Sequence, residues 1–303
     1  MAVLSHASAT GRSLGQPLLK IPVTLRIGLA NRISRLRCEA RTLDDTYSAY
    51  VNRVARQTLP ETYQSQVQHL QPSPKFQRQS DGKFSPVSFP GYSVITPPWS
   101  DDSENTAFYQ GLETLQQQVC DRLPAGLIIA LPSESFHMTL ADLIWDSAFR
   151  HASENPDFES QLRDRIAESF QQSQPQIVGG PPIYWQVLGL VIRPRAIGVC
   201  LAPKDEAAYS RILHLRRAIY QNQELIRLGI EQQYHFTAHI TLGYFGDVLG
   251  ERVEISEALS DLTQEWLLEG NSPQSLWVHK AELRKFDDMT RYDRQPDWPE
   301  LTF

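Results

Sequence analysis

The sequence predicts an α+β fold of two lobes, each an antiparallel sheet with flanking helices around a central cleft. Apolar residues alternate in several short segments and recur at three-to-four spacing in longer ones, the patterns of strands and amphipathic helices. The two kinds of segment do not alternate one for one, so a helix does not separate every pair of strands as a doubly wound sheet requires. The breaker cluster Gly179, Gly180, Pro181 and Pro182 divides two stretches that repeat the same outline of strands and helices. This sets an expected lobe boundary near residues 174–182. With 303 residues, 41% of them hydrophobic, the chain is long enough for a sizeable core.

The elements follow in order. Tyr47, Val51 and Val54 share helical spacing, so residues 44–58 read as a helix that ends before Pro60. Breakers make 71–90 a loop, and 91–96 a strand stopped by Pro97 and Pro98. Ser100 or Asp102 is placed to cap a helix carrying Phe108, Leu112, Leu115, Val119 and Leu123 on one face, up to Pro124. Residues 127–131 and 135–143 read as a strand pair joined by a turn at 132–134, followed by a helix over 157–172. Beyond the breaker cluster come strands at 184–192 and 196–202, a helix at 205–222, a strand at 236–245, a helix at 254–268 and a last strand at 276–283. Trp145 and Trp185 read as core or lobe-interface residues.

The net charge of -6 argues against a broad basic surface for duplex nucleic acid, while small anionic ligands remain compatible with it. Cys38, Cys120 and Cys200 are widely spaced with no C-x-x-C pair, which speaks against a disulfide framework and a zinc site and points to a reducing, cytoplasmic compartment. No apolar run approaches the roughly 20 residues a membrane span needs, so no membrane partner is expected. Residues 1–41 differ in kind: Arg12, Lys20, Arg26, Arg32, Arg35 and Arg37 occur with no Asp or Glu before Glu39. This composition fits a disordered basic extension, an upstream start, or an organelle-targeting segment. Residues 42–303 are expected to form one bilobal domain.

One chemical motif repeats. In Phe136-His137-Met138-Thr139-Leu140 the alternation turns the three apolar residues one way and His137 and Thr139 the other, and His239-Ile240-Thr241-Leu242 does the same for His239 and Thr241. Across a cleft, the two pairs would present two imidazoles and two hydroxyls to one ligand. A cyclic phosphate ester suits that set: one neutral imidazole takes a proton from water, the other, protonated, gives one to the departing oxygen, and the hydroxyls hold phosphate oxygens. No metal-ligand spacing is present, and neither metal nor cofactor is expected. His-x-Ser/Thr also occurs at His6/Ser8, His151/Ser153 and His235/Thr237; the first two read as noise, the third as a support for His239 or a solvated edge. Tyr244 and Tyr92 are further candidates for stacking a base, with core packing as the alternative. Lys280, Arg284 and Lys285 read as a solvated strand end or a source of a cation for phosphate. Cys120 is not a candidate nucleophile.

On these residues the chain resembles the two-histidine (2H) phosphoesterase superfamily. His137-Met138-Thr139-Leu140 and His239-Ile240-Thr241-Leu242-Gly243-Tyr244 match its two motif positions, and GYSVITPPW, SFHMTLADLIWD and AHITLGYF look like a bacterial branch with largely unassigned substrates. The resemblance spans about residues 42–303. It implies the bilobal fold, His137 and His239 as the catalytic pair with the first as acid and the second as base, and Thr139 and Thr241 as phosphate holders. It implies action on a nucleoside or RNA-end 2′,3′-cyclic phosphate, with RNA-ligase-like 2′-5′ chemistry or non-catalytic nucleotide binding as alternatives. The Pro-rich segment 71–90 exceeds compact relatives and is placed to restrict the cleft against long RNA.

Overall fold

The computed structural model of the chain describes residues 44–248, 250–269 and 274–303. The basic extension, with His6 and Cys38, lies outside the described residues. Helix α1 (Tyr47–Arg56) begins at Thr46, whose hydroxyl accepts a hydrogen bond from the Ala49 N–H, and buries Tyr50 and Val54. It stops short of Pro60 as expected. Pro60 then opens a second helix, α2 (Pro60–Gln66), because the first turn has no use for the amide that proline lacks. The stretch expected to be a loop holds a short hairpin, β1 (Phe76–Arg78) with β2 (Phe84–Pro86).

Strand β3 (Gly91–Ile95) is fully buried. Asp102 accepts from the amides of Glu104 and Asn105 and so precedes α3 (Thr106–Arg122), whose buried stripe includes Phe108, Leu112, Leu115 and Val119. Next come β4 (Ile128–Ala130), β5 (Thr139–Trp145), the short α4 (Asp146–Ala152) and α5 (Phe158–Ile177). Strands β6 (Ile183–Arg193) and β7 (Ala196–Pro203) form a hairpin, followed by α6 (Glu206–Tyr220) and α7 (Gln223–Arg227). The chain ends with β8 (His239–Phe245), α8 (Arg252–Glu269), β9 (Ser275–Val278), β10 (Lys280–Phe286) and β11 (Glu300–Thr302). None of the described helices is long and apolar enough to cross a membrane.

The class is α+β. One sheet has four strands in the order β11-β10-β3-β5 and the other five in the order β4-β8-β7-β6-β9, and every pairing is antiparallel. The sheets do not divide at 174–182. Strand β4 pairs with β8 in the five-stranded sheet, and β10 and β11 pair into the four-stranded sheet beside β3. Two expectations fail with that boundary. Residues 127–131 and 135–143 are not a hairpin, because their hydrogen-bond partners lie in different sheets, and the single expected strand at 276–283 is two strands that part at His279. Sequence adjacency is a poor guide here because a strand joins whichever edge offers a complementary ladder and an apolar face.

Two anchors fix the segments that precede β5 and β8. Residues 136–138 are tied to the end of β3: the Met138 amide donates to the Thr96 hydroxyl at 2.9 Å, the Thr96 amide to the Met138 carbonyl at 3.0 Å, and the Trp99 amide to the Phe136 carbonyl at 3.0 Å. Residues 236–238 are tied to α1. The Tyr50 hydroxyl accepts from the Ala238 amide and donates to the Leu201 carbonyl, each at 3.0 Å, while packing edge-on against the buried Trp185. Arg53 donates to the Phe236 carbonyl and the Thr237 hydroxyl and pairs with Asp45 at 2.7 Å.

Tyr50→Phe keeps the ring packing and removes only the hydroxyl. It leaves a buried amide and a buried carbonyl unpaired, so the folded state is expected to lose about 1–3 kcal/mol. Urea unfolding of both proteins measures the loss, and an unchanged midpoint would show that water replaces the hydroxyl.

Candidate active site

A cleft of about 910 Å³ is lined by residues of both sheets, and it brings together His137, Thr139, His239 and Thr241. Their arrangement follows from burial. Phe136, Met138 and Leu140 are buried on one side of the first segment, as Ile240 and Leu242 are in the second, so the histidines and threonines face the opening.

The two imidazoles are held in the same way. His137 Nδ1 lies 2.7 Å from the Ser135 carbonyl, and His239 Nδ1 lies 2.8 Å from the Thr237 carbonyl. A carbonyl can only accept, so in both rings Nδ1 carries the proton and Nε2 is the free basic nitrogen. Each carbonyl is itself fixed. Ser135 ends a helical turn closed by its hydroxyl on the Pro132 carbonyl, and Thr237 is held by Arg53. His235, half exposed and 3.7 Å from Asp45, lies farther along the same segment, so the third His-x-Thr supplies the support of His239 through Thr237. His151 sits exposed on α4.

Both rings are pushed below the ordinary histidine value. Burial lowers His137 to about 4, with the Arg284 guanidinium adding to it against the opposing carbonyl bond. Burial lowers His239 to about 3, with Arg193, His137 and Lys75 adding positive potential. In the ligand-free protein near neutral pH both rings are therefore uncharged, and an anion between them would draw protons onto them. Among the described residues, the hydroxyls of Thr139 and Thr241 have no protein partner.

Tyr244 lines the cleft, packed on Phe76 at 5.5 Å, with Lys75 Nζ 5.2 Å from its ring centre. Tyr92 does not reach the cleft. Its neighbour Ser93 faces the opening while Tyr92 turns the other way, fully buried between Phe149 and Trp298. Arg284 and its neighbours do not line the cleft either. Arg284 is buried against Glu282 and Asp101, Lys285 pairs with Glu159, and Lys280 with Glu300. Cys120 is set back from the cleft, its thiol pushed up by burial.

Several cleft residues escaped the sequence reading. Tyr292 packs edge-on against His137 with ring centres 4.2 Å apart, its carbonyl held by Arg284 at 3.1 Å. Lys75, Arg193 and Arg216 bring positive charge, and segment 71–90 contributes Lys75 and Phe89 to the wall. Asp142 accepts from the Tyr234 hydroxyl, which joins β5 to the loop before β8. It shares the cleft with Thr139 and Trp145 because β5 carries extra residues at two register shifts against β3, turning alternation into a repeat of three. A register shift in β8 likewise brings Tyr244 to the side of Thr241. Among the described residues no group of three or more His, Cys, Asp or Glu is placed to hold a metal ion.

No family model and no curated protein matches the chain. Among solved structures, a conserved Agrobacterium tumefaciens protein of unknown function is 15% identical with a TM-score of 0.49, over 77% of this chain and 96% of that one. Escherichia coli LigT complexed with 3′-AMP is 15% identical with a TM-score of 0.37, over 71% of this chain and 99% of that one. Kluyveromyces marxianus Usb1 is 10% identical with a TM-score of 0.38, over 71% and 98%.

The depressed histidine values link folding to pH. An unfolded chain protonates both imidazoles below 6.5, whereas the native rings resist until about 4 and 3, so stability falls as pH drops through that window. The urea midpoint of the ligand-free protein should decline less steeply from pH 6.5 to about 4.5 in His137→Asn/His239→Asn than in the unaltered chain. Equal slopes would remove the two rings as its cause.

Proposed function

We propose that this chain is a phosphoesterase of the two-histidine kind that hydrolyses a cyclic phosphodiester, a nucleoside or RNA-end 2′,3′-cyclic phosphate. The observation that carries the reading is the matched pair of imidazoles. Each is pinned at Nδ1 by the carbonyl two residues earlier, each keeps Nε2 free, and each is followed by a cleft-facing threonine. A pocket that only holds phosphate has no need of two rings prepared in one tautomer.

His239, held neutral by burial and by the positive potential of Arg193 and Lys75, serves as base. Its Nε2 takes a proton from a water as the water oxygen bonds to phosphorus. His137, protonated on binding of the anion, gives its Nε2 proton to the sugar oxygen as the phosphorus–oxygen bond breaks, leaving a monophosphate. Thr139 and Thr241 donate to the non-bridging oxygens, where charge develops. No step draws on a metal or a cofactor. The cations of the cleft also favour a second reading, a module that holds a phosphorylated ligand without turnover.

Hydrolysis of the four nucleoside 2′,3′-cyclic monophosphates and of a short RNA ending in a cyclic phosphate, with EDTA present, separates the two. Turnover is expected in the unaltered chain and is lost in folded His137→Ala and His239→Ala; binding without turnover on every substrate favours the module. Thr139→Val and Thr241→Val should each slow turnover by about 10- to 1000-fold.

The pH dependence of the rate should be bell-shaped. Because kcat/KM reports the free protein, its optimum falls on the acid side of neutral, and the optimum of kcat lies higher because the bound anion raises both rings. A rate that climbs steadily from about pH 5 to 9 contradicts an acid–base pair.

A further inference from the structure

The charges lining the cleft exceed what one cyclic phosphate needs. Lys75, Arg193, Arg195 and Arg216 all line it, and among the described residues none is within ion-pair distance of a carboxylate. Arg195 reaches only the Gln71 side chain, at 3.3 Å. Asp142 is the one carboxylate among the lining residues, and the Tyr234 hydroxyl already occupies it. Elsewhere on this acidic chain, Arg53, Arg78, Arg122, Arg217 and Arg284 each have a carboxylate partner.

Arg216 is the most telling of the four. The residue is 4% exposed, with the guanidinium carbon 4.4 Å from the Phe236 ring centre and 5.2 Å from that of Tyr220. One terminal nitrogen donates to the Leu140 carbonyl, and the buried Nε has no partner. Arg193 has a buried, unpartnered Nε as well. A desolvated guanidinium with an open donor is costly unless an anion completes it. A cyclic phosphodiester brings a single negative charge, and its two free oxygens are already matched by the two threonines while the imidazolium faces the departing oxygen.

We propose that Arg193 and Arg216, with Lys75 as a third cation of the cleft, form a second anion subsite, so that the ligand carries a further phosphate besides the one between the histidines. The inference rests on the phosphoesterase reading for the position of the first phosphate. Two sources supply the second: a phosphate monoester elsewhere on the same nucleotide, or the next phosphodiester of an RNA strand.

Calorimetric titration with three product-like probes tests it: adenosine 3′-monophosphate, adenosine 3′,5′-bisphosphate, and an adenosine dinucleotide ending in a 3′-phosphate. At least one two-phosphate probe is expected to bind about tenfold or more tightly than the monophosphate, the worth of one added charge-assisted hydrogen bond. That ratio collapses in Arg193→Met and in Arg216→Met. A preference for the bisphosphate names the monoester, and a preference for the dinucleotide names the diester.

Equal affinity for all three probes, no binding of any, or a ratio that survives in both variants overturns the subsite. An arginine-dependent preference in a protein that hydrolyses no cyclic phosphate upholds the subsite while refuting the catalytic reading. Arg216 also satisfies a backbone carbonyl, so thermal melting accompanies both variants, and Arg193→Met decides alone if Arg216→Met does not fold.

Discussion

The hydrogen bond from an imidazole Nδ1 to the carbonyl two residues earlier, made once just before β5 and once at the start of β8, is the constraint on which the site depends. It fixes tautomer and ring direction together, and it works only if the accepting carbonyl is itself immobile. The structure secures the two carbonyls by different means: a helical turn closed by Ser135 on one side, and a guanidinium and a tyrosine of α1 on the other. Equivalent geometry thus comes from unrelated surroundings. Those surroundings also differ in charge: burial lowers both rings, with Arg193 and Lys75 adding to it at His239 and Arg284 at His137.

The motif residues and their facing were legible in the sequence because strict alternation holds for the few residues around each histidine. Most helices were legible from apolar spacing. Alternation then reached its limit. It gave no hint of Asp142, which register shifts bring to the side of Thr139, and Tyr92, a candidate only as an aromatic on the first strand, takes the core alternative while the residue beside it on β3 faces the cleft. A bulge is one unpaired residue in a ladder and leaves no compositional trace when that residue is apolar, as Leu140 and Leu143 are.

The cleft cations were hidden for another reason. Lys75, Arg193 and Arg216 come from a breaker-rich segment, a strand end and a helix, far apart in sequence and unremarkable one by one. Only the fold shows that they converge and that carboxylates elsewhere do not neutralise them. The expected lobe boundary failed similarly. The Gly179–Pro182 cluster marks a genuine break between α5 and β6, yet the sheets exchange strands on either side of it, and strand exchange is a property of ladders rather than of local sequence.

The parting of β9 and β10 at His279 bears on how the molecule comes into being. Strand β10 lies between β11 and β3, so one interior strand of the four-stranded sheet pairs with the other across a long stretch of sequence. Without β10, β3 and β5 are a two-stranded ribbon with an open ladder, whereas β6, β7 and β8 pair without it. The long sequence separation between β3 and β10 makes closure of that ladder the entropically slow event in completing the sheet beside His137.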